Sequence, residues 1–398
     1  MNNKWVRFIV LYLSALTVGL GNMKIIPFLG DIATNANVSM PTVVWLMSVF
    51  NLAGVILALP GAGILAKLGP KKLLLVLMAF LITGNVMGGV AGYSFPLLLV
   101  SRALEGVAFS MILTVGIVFI NDWFAGSKVG GTAVGIYTTF PAVSSFLVLN
   151  TGVPIANALG GMKSLWWIVT ILALVSSFLV IVVLKTSTPQ TIDNVPAADD
   201  KNLLKEAASN SRVWLLALCQ FFVAFVLFTF INVYPQIFQD YYMLETTKAN
   251  FYASLSGLFG IVFCILSGVI LDKFKKSSLM ILICFIGLSG ASFLTTYLSG
   301  PPTYVMHTFF TAMFTGLVIP AVLIVVPQIT KRPNLIGHSI SIVNMLYFLG
   351  IFAGTPVVQA AAEKSWVAGA AVLGIASIAG VISILIFMAS SKKVAVKQ

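Results

Sequence analysis

The sequence predicts an all-α polytopic membrane protein with twelve transmembrane helices in two pseudo-symmetric six-helix bundles. Of its 398 residues, 59% are hydrophobic and 9% are charged, whereas soluble domains contain about 45–50% apolar residues. Twelve apolar stretches divide the chain, and each is close to the roughly 20 residues that cross a bilayer. The loops between these stretches are short, so we expect no separate soluble domain among them.

The predicted helices follow from these stretches in chain order. The first stretch begins after Lys4 and Arg7, as in a secretory signal, but it is too long and lacks a small-residue cleavage site. We therefore interpret it as helix 1, and Ser39 before Pro41 as the N-cap of helix 2. The predicted spans are 6–29, 42–66, 71–92, 96–120, 132–157, 165–185, 213–236, 249–271, 278–297, 304–329, 336–360 and 367–390.

The longest polar segment lies between predicted helices 6 and 7. Its prolines and aspartates are typical of a linker, with a short surface helix around Leu203 and Leu204. We therefore divide the chain into an N-terminal bundle at 1–185, a cytoplasmic linker at 186–211 and a C-terminal bundle at 212–398. Repeated six-helix units are typical of secondary transporters, which bind their substrate between the units.

The net charge of +12 follows the predicted topology. If the N-terminus is cytoplasmic, eighteen Lys and Arg residues fall in inner segments and three fall in outer loops, namely Lys163, Lys248 and Lys364. This asymmetry obeys the positive-inside rule and predicts that both termini are cytoplasmic. We assign the basic charge to topology and to contact with anionic lipid, not to nucleic acid. The three cysteines fall in predicted helices and indicate neither a disulfide framework nor a metal site.

Away from the ends of the predicted spans, four charged or histidine residues remain: Lys24, Arg102, Glu105 and His307. A charge in hydrocarbon is costly, so each is a functional candidate. Helix 1 runs outward and helix 4 runs inward, which places Lys24 and Arg102 roughly 8–9 Å below the outer boundary at 1.5 Å per residue. Glu105 follows Arg102 by three residues, so the two share a helix face, where an ion pair is natural.

Two accounts of these residues stay open. In the first, Arg102 and Glu105 form a structural ion pair, Lys24 snorkels to the outer interface and His307 is a packing histidine. In the second, Glu105 exchanges its proton as a substrate binds Arg102, because moving a cation changes the proton affinity of a nearby carboxylate. His307 would also contact substrate or titrate. The second account makes Glu105 and His307 the proton-coupling residues.

Several local patterns resemble those of the major facilitator superfamily. Residues 63–72 resemble the loop G-x-x-x-D-R-x-G-R-R between helices 2 and 3, with Ala66 in place of the Asp, and residues 268–276 carry that acid as Asp272. Residues 98–106 in helix 4 resemble L-x-x-x-R-x-x-Q-G, with Glu105 in place of Gln. The exit of helix 4 and the start of helix 6 are similar to further patterns of the family.

This resemblance implies the major facilitator fold and a cytoplasmic latch formed by loop residues. We assign to the latch Lys67, Gly69, Lys71, Lys72, Asp122, Asp272 and Lys273. Asn22 and Lys24, followed by Pro27, resemble the N-L-R segment in helix 1 of the cyanate and nitroimidazole transporter branch, with Lys in place of Arg. A bidentate anion contact does not survive that exchange unchanged. The resemblance further implies that helices 1 and 4 line one cavity, so that Lys24 and Arg102 face the same ligand.

These observations predict a secondary active transporter that moves a small organic or inorganic anion by alternating access, coupled to the proton gradient. Lys24 and Arg102 against Glu105 leave the interior net positive, which favours anions. Polar residues of helices 7, 10 and 11 would complete the opposite wall of the site. The expected substrate contacts are Lys24, Arg102, Asn22, Asn232, Tyr234, His307, Gln328, Asn344 and Tyr347.

Two other functions stay open. One is a proton-coupled multidrug efflux antiporter that uses Glu105 and a cavity lined by some of the 29 phenylalanines. The other is a membrane receptor that binds a ligand without moving it. We expect no enzymatic activity, because no nucleophile motif is present, and no cofactor beyond the proton gradient as energy source. We also expect a monomer in a prokaryotic inner or plasma membrane.

Overall fold

The computed structural model describes residues 3–124, 127, 129–184, 201–273, 276–330, 332 and 335–395. Within these residues the regular structure is helical, without a strand. Twelve helical spans among them are long and apolar enough to cross a membrane. The predicted fold class, an all-α polytopic membrane protein, is confirmed.

The first half of the chain holds six of these spans. Span 1 combines α1, a 3₁₀ turn and α2, span 2 combines α3 and α4, and span 5 combines α8 and α9. The bounds are α1 (Lys4–Met23), 3₁₀ turn (Ile26–Phe28), α2 (Leu29–Asn35), α3 (Met40–Val43), α4 (Trp45–Leu57), α5 (Gly61–Leu68), α6 (Pro70–Ala91), α7 (Phe95–Trp123), α8 (Gly130–Tyr137), α9 (Phe140–Ala158) and α10 (Lys163–Val183).

The second half holds the other six spans after a short helix. That helix, α11, contains Leu203 and Leu204, as the sequence predicts, while residues 186–200 of the predicted linker lie outside the described residues. The bounds are α11 (Lys201–Ser209), α12 (Ser211–Gln236), a π-helical turn (Ile237–Tyr241), α13 (Thr246–Lys273), α14 (Ser277–Leu294), α15 (Pro301–Ile329), α16 (Ile336–Ala362) and α17 (Trp366–Ala395).

Three of the spans predicted as continuous helices are broken in the structure. Predicted helix 1 breaks at Pro27, helix 2 before Pro60 and helix 5 before Pro141. Proline has no N–H and fits the first turn of a helix better than its interior, so each proline begins or precedes a new helical segment.

The first break changes the position of Lys24 along its span. Span 1 ends at Asn35 and not at residue 29, so Lys24 lies eleven residues from the end of the span, about 17 Å at 1.5 Å per residue. The predicted depth of roughly 8–9 Å assumed a span end at residue 29, five residues after Lys24, and the helical span in the structure continues beyond that point. The residue lies in the middle part of its span, at the break itself.

The two halves pack against each other mainly through two pairs of helices, α4 with α16 and α9 with α13. Gly54 of α4 faces the ring of Phe348 of α16. Gly257 of α13 lies against α9, where an added Cβ would come within 2.7 Å of the Ala142 carbonyl oxygen. Small residues at such contacts let helix backbones approach closely inside a membrane.

Candidate functional site

The centre of the site is the break in span 1. Helix α1 ends at Met23, and the 3₁₀ turn that follows contains Pro27. Because Pro27 has no N–H, it cannot donate the hydrogen bond that the Met23 carbonyl would receive in a continuous helix. The last carbonyls of an α-helix lack intrahelical donors and carry partial negative charge. The break therefore creates buried acceptors in the middle of the bundle.

Arg102 of α7 supplies donors to these carbonyls. Its Nη1 donates to the Gly21 carbonyl at 2.7 Å, and its Nη2 donates to the Asn22 carbonyl at 2.9 Å and faces the Asn22 Oδ1 at 3.5 Å. Its Nε donates to the Leu46 carbonyl of α4 at 3.2 Å. With a further bond from Nη1 to Glu105 at 2.5 Å, all five N–H groups of the guanidinium are in use. Arg102 thus joins α1, α4 and α7 with a fully buried charge.

Lys24 lies directly after the end of α1. Its Nζ donates to the Gly21 carbonyl at 3.1 Å and to Glu105 Oε2 at 2.6 Å. The ammonium also lies over the ring of Trp166 in α10, 4.9 Å from the centroid. The residue is 1% exposed, so Lys24 faces the bundle interior and does not snorkel to the interface in this structure. Two of its three N–H groups are accounted for by these hydrogen bonds.

Glu105 connects the two cations through a single carboxylate oxygen. Its Oε2 accepts from both Lys24 and Arg102, and its Oε1 lies 3.3 Å from the Ser101 hydroxyl. The carboxylate is fully buried. Burial of ions is tolerated when each one is paired and hydrogen-bonded. Lys24, Arg102 and Glu105, called the ion cluster below, carry a formal charge of +1.

Two glycines of α6 allow the ion cluster to form. At Gly84 an added Cβ would come within 2.7 Å of the Glu105 Cγ and 2.8 Å of the Ser101 carbonyl oxygen. At Gly88 it would overlap the indole nitrogen of Trp166. Neither these glycines nor Trp166 is among the site residues predicted from the sequence. The signal was present, because Gly84 and Gly88 form the small-x-x-x-small pattern of close helix packing in membranes.

His307 and Tyr234 meet in the second half of the chain. The Tyr234 hydroxyl lies 2.9 Å from His307 Nδ1, and His307 Nε2 lies 2.8 Å from the Ala291 carbonyl. A carbonyl only accepts, so Nε2 carries the hydrogen and Nδ1 accepts from Tyr234 in the neutral ring. Among the described residues, no hydrogen bond or ion pair joins this pair to the ion cluster. This environment matches the packing-histidine account.

The remaining residues predicted for the second wall lie on α12, α15 and α16. Asn232 donates to the Thr355 hydroxyl at 2.9 Å, and Asn344 and Tyr347 are half-buried on α16. Gln328 is exposed in the last turn of α15, 21 positions after His307, which is about 32 Å along a helix. The prediction that Gln328 and His307 contact one small ligand is therefore wrong in this structure.

The predicted latch residues lie in loops and at helix ends. Gly69 has φ +72°, a conformation that favours glycine, and it separates α5 from α6. Lys71 donates to the Ile181 carbonyl at 3.1 Å, whereas Lys67, Lys72 and Asp122 are exposed. Asp272 and Lys273 belong to the last turn of α13, but their side chains lie outside the described residues. The latch stays a prediction.

A cavity of about 820 Å³ lies beyond the break in span 1, between the two halves. Ile26, Pro27 and Phe28 line it on one side, and the end of α12 lines it on the other. Neither Lys24 nor Arg102 is among its lining residues, and both are almost fully buried. The expectation that both cations line a shared open cavity is therefore not met in this structure.

The comparisons with known proteins agree with the fold. A family model described as Major Facilitator Superfamily matches residues 11–355, from α1 into α16. A search of curated proteins found no match. The family match does not distinguish branches, so the resemblance to cyanate and nitroimidazole transporters stays a prediction.

Proposed function

The chain belongs to the major facilitator superfamily, a family of secondary transporters, and on that premise we propose that it co-transports a small organic or inorganic anion with protons. The observation that supports this proposal is the position of Glu105 Oε2, which lies 2.6 Å from Lys24 and 2.5 Å from Arg102. In this proposal the carboxylate occupies the place that a substrate anion would take. The transporter works as a monomer without a cofactor, driven by the proton gradient.

The charge of the ion cluster gives the coupling its physical basis. A substrate anion can replace the carboxylate as the partner of Lys24 if Glu105 loses its own charge by taking a proton. The anion and the proton together leave the formal charge at +1. Lys24 therefore exchanges the Glu105 carboxylate for the substrate anion without a change in the charge of the buried site. An uncompensated charge in such a site is strongly unfavourable. Binding one ion without the other is therefore disfavoured.

The break in span 1 offers a path between the ion cluster and water. Lys24 immediately precedes the break, and Ile26 to Phe28 beyond it line the cavity. Arg102 has no donor left for a ligand, whereas Lys24 has one. A bend at the break during alternating access would expose Lys24 first. We therefore assign the first anion contact to Lys24 and the anchoring of the broken helix to Arg102.

The test of this proposal is Glu105→Gln in reconstituted vesicles. Small carboxylates and cyanate-like anions are first screened by thermal shift, since a ligand stabilises the state that it binds. Glu105→Gln should abolish accumulation driven by a pH gradient but preserve exchange of labelled anion. The matched control is Glu206→Gln, because Glu206 also pairs with an arginine, Arg332, but at the surface. Equal loss of accumulation and exchange in a folded Glu105→Gln protein would refute the coupling role.

The second candidate function is proton-coupled efflux of lipophilic cations. The observation that favours it is the charge of the cavity, whose lining includes Asp31 and Asp240 and no Lys, Arg or His. Lys24→Met separates the two candidates. If the protein transports an anion, Lys24→Met should abolish anion uptake. If it exports lipophilic cations, Lys24→Met should leave that export largely intact.

A further inference from the structure

The two oxygens of the Glu105 carboxylate have different surroundings. Oε2 accepts from Lys24 at 2.6 Å and from Arg102 at 2.5 Å. Among the described residues, the hydrogen-bonding neighbour of Oε1 is Ser101, which lies one turn earlier on α7. Ser101 and Glu105 are both fully buried, so neither side chain faces bulk solvent in this structure. The Ser101 hydroxyl therefore determines the polar environment of Oε1.

The Ser101 hydroxyl has one hydrogen and two oxygens within reach. Its Oγ lies 2.8 Å from the Gly84 carbonyl oxygen of α6 and 3.3 Å from Glu105 Oε1. Hydrogen bonds of the O–H···O type are about 2.5–3.0 Å long, so the distances favour donation to Gly84. The Ser101 oxygen then has only lone pairs to offer to Oε1. A hydrogen on Oε1 would turn this contact between two acceptors into a hydrogen bond.

The charges around Glu105 also favour Oε1 as the place for a proton. Lys24 of span 1 and Arg102 of α7 are the charged side chains that pair with the carboxylate, and both donate to Oε2. The other helices packed against α7 are α4, α6 and α8, and their charged residues are confined to the first turn of α6. A proton on Oε2 would displace one of the N–H donors, whereas a proton on Oε1 displaces none.

We propose that the transported proton binds Glu105 at Oε1 and that Ser101 is the positioning residue that accepts this O–H, while its own hydrogen stays on the Gly84 carbonyl. The inference rests on the proposed function, in which Glu105 takes a proton from water as a substrate anion replaces it at Lys24. Ser101 thus stabilises the protonated carboxyl group. A hydroxyl that donated to Oε1 would instead stabilise the charged form, so the two arrangements predict opposite effects of removing the hydroxyl.

Infrared spectroscopy of the purified full-length protein tests this proposal, because a protonated carboxyl group has a C=O stretching band that a carboxylate lacks. The band that forms on acidification and is absent in Glu105→Gln belongs to Glu105. In Ser101→Ala this band should move to higher frequency, since the O–H has lost its acceptor. The pH at which half of the band has formed should fall by about 0.5–1 unit, the size expected for one hydrogen bond.

Two further variants serve as controls for this measurement. Ser144 is also fully buried, and its described hydrogen bonds go to backbone carbonyls. Ser144→Ala should therefore leave the band and its pH dependence unchanged. Ser101→Cys carries a thiol, which is a weak acceptor, so it should shift both quantities in the same direction as Ser101→Ala and by less. It also provides the test if Ser101→Ala does not fold.

The outcomes separate this inference from the proposed function. An unshifted band, or a higher pH of half-formation, in a folded Ser101 variant would overturn the role of Ser101 and leave proton coupling by Glu105 intact. If Glu105→Gln removes no band, both the coupling and the role of Ser101 are refuted. The expected shifts in a protein that accumulates no anion would support the role of Ser101 and refute anion transport alone.

Discussion

Glu105 and Lys24 meet across 81 positions of sequence, with Glu105 Oε2 2.6 Å from Lys24 Nζ and both side chains buried. This contact ties the middle of span 1 to α7 at the point where span 1 is broken. The same carboxylate oxygen accepts from Arg102, so one acid pairs with two cations. The two cations differ in their hydrogen bonds to the backbone. Arg102 donates to three backbone carbonyls, and Lys24 donates to one.

This difference predicts unequal effects of removing the two cations. Arg102→Met leaves the carbonyls of Gly21, Asn22 and Leu46 without this donor, and we expect a loss of about 3–5 kcal/mol of stability, as for other broken buried pairs. Lys24→Met leaves Glu105 paired with Arg102, so we expect a loss of about 1.5–3 kcal/mol, the usual value for hydrogen bonds to charged groups.

Thermal unfolding of both variants in detergent measures this difference. Lys248→Met is the control for loss of a lysine, because Lys248 is exposed. A lower unfolding temperature for Lys24→Met than for Arg102→Met would contradict the assignment of Arg102 as the anchor of the broken helix.

The packing around the ion cluster predicts opposite effects of one substitution at two glycines. At Gly84 an added Cβ would meet the Glu105 side chain and the Ser101 carbonyl, so Gly84→Ala should push α6 away from α7 and lower stability by about 1–3 kcal/mol. At Gly290 of α14 an added Cβ meets nothing within 4 Å. Gly290→Ala should therefore be neutral or raise stability by up to about 1 kcal/mol, as for glycine to alanine in a helix.

The unfolding temperatures and the anion exchange rates of both variants check this expectation. Gly84→Ala should also slow exchange, because the substitution displaces Glu105 directly. A Gly84→Ala protein with normal stability and exchange would show that α6 does not determine the position of the carboxylate.

The sequence alone predicts the twelve spans because bilayer thickness imposes a length and a composition that can be counted. It also indicates Lys24, Arg102 and Glu105 as candidates for a functional site, since charges inside apolar spans are few. It does not predict that Arg102 caps the end of α1, because that contact needs the break at Pro27 and the approach of α7 in three dimensions. For the same reason it does not identify Trp166, whose ring meets Lys24 only through the packing of α10.

The hydrogen bonds of His307 predict a structural role that can be measured apart from transport. Tyr234→Phe removes the donor to His307 Nδ1 in a buried site, and we expect it to cost about 1–3 kcal/mol of stability, the value for a buried polar group left unpaired. Tyr297→Phe is the control, because Tyr297 is 72% exposed. On the account in which His307 is a packing residue, the pH dependence of transport in Tyr234→Phe should match that of the unchanged protein, whereas Glu105→Gln should flatten it. A shifted pH profile in Tyr234→Phe with normal thermal stability would instead identify His307 as a group that titrates during transport.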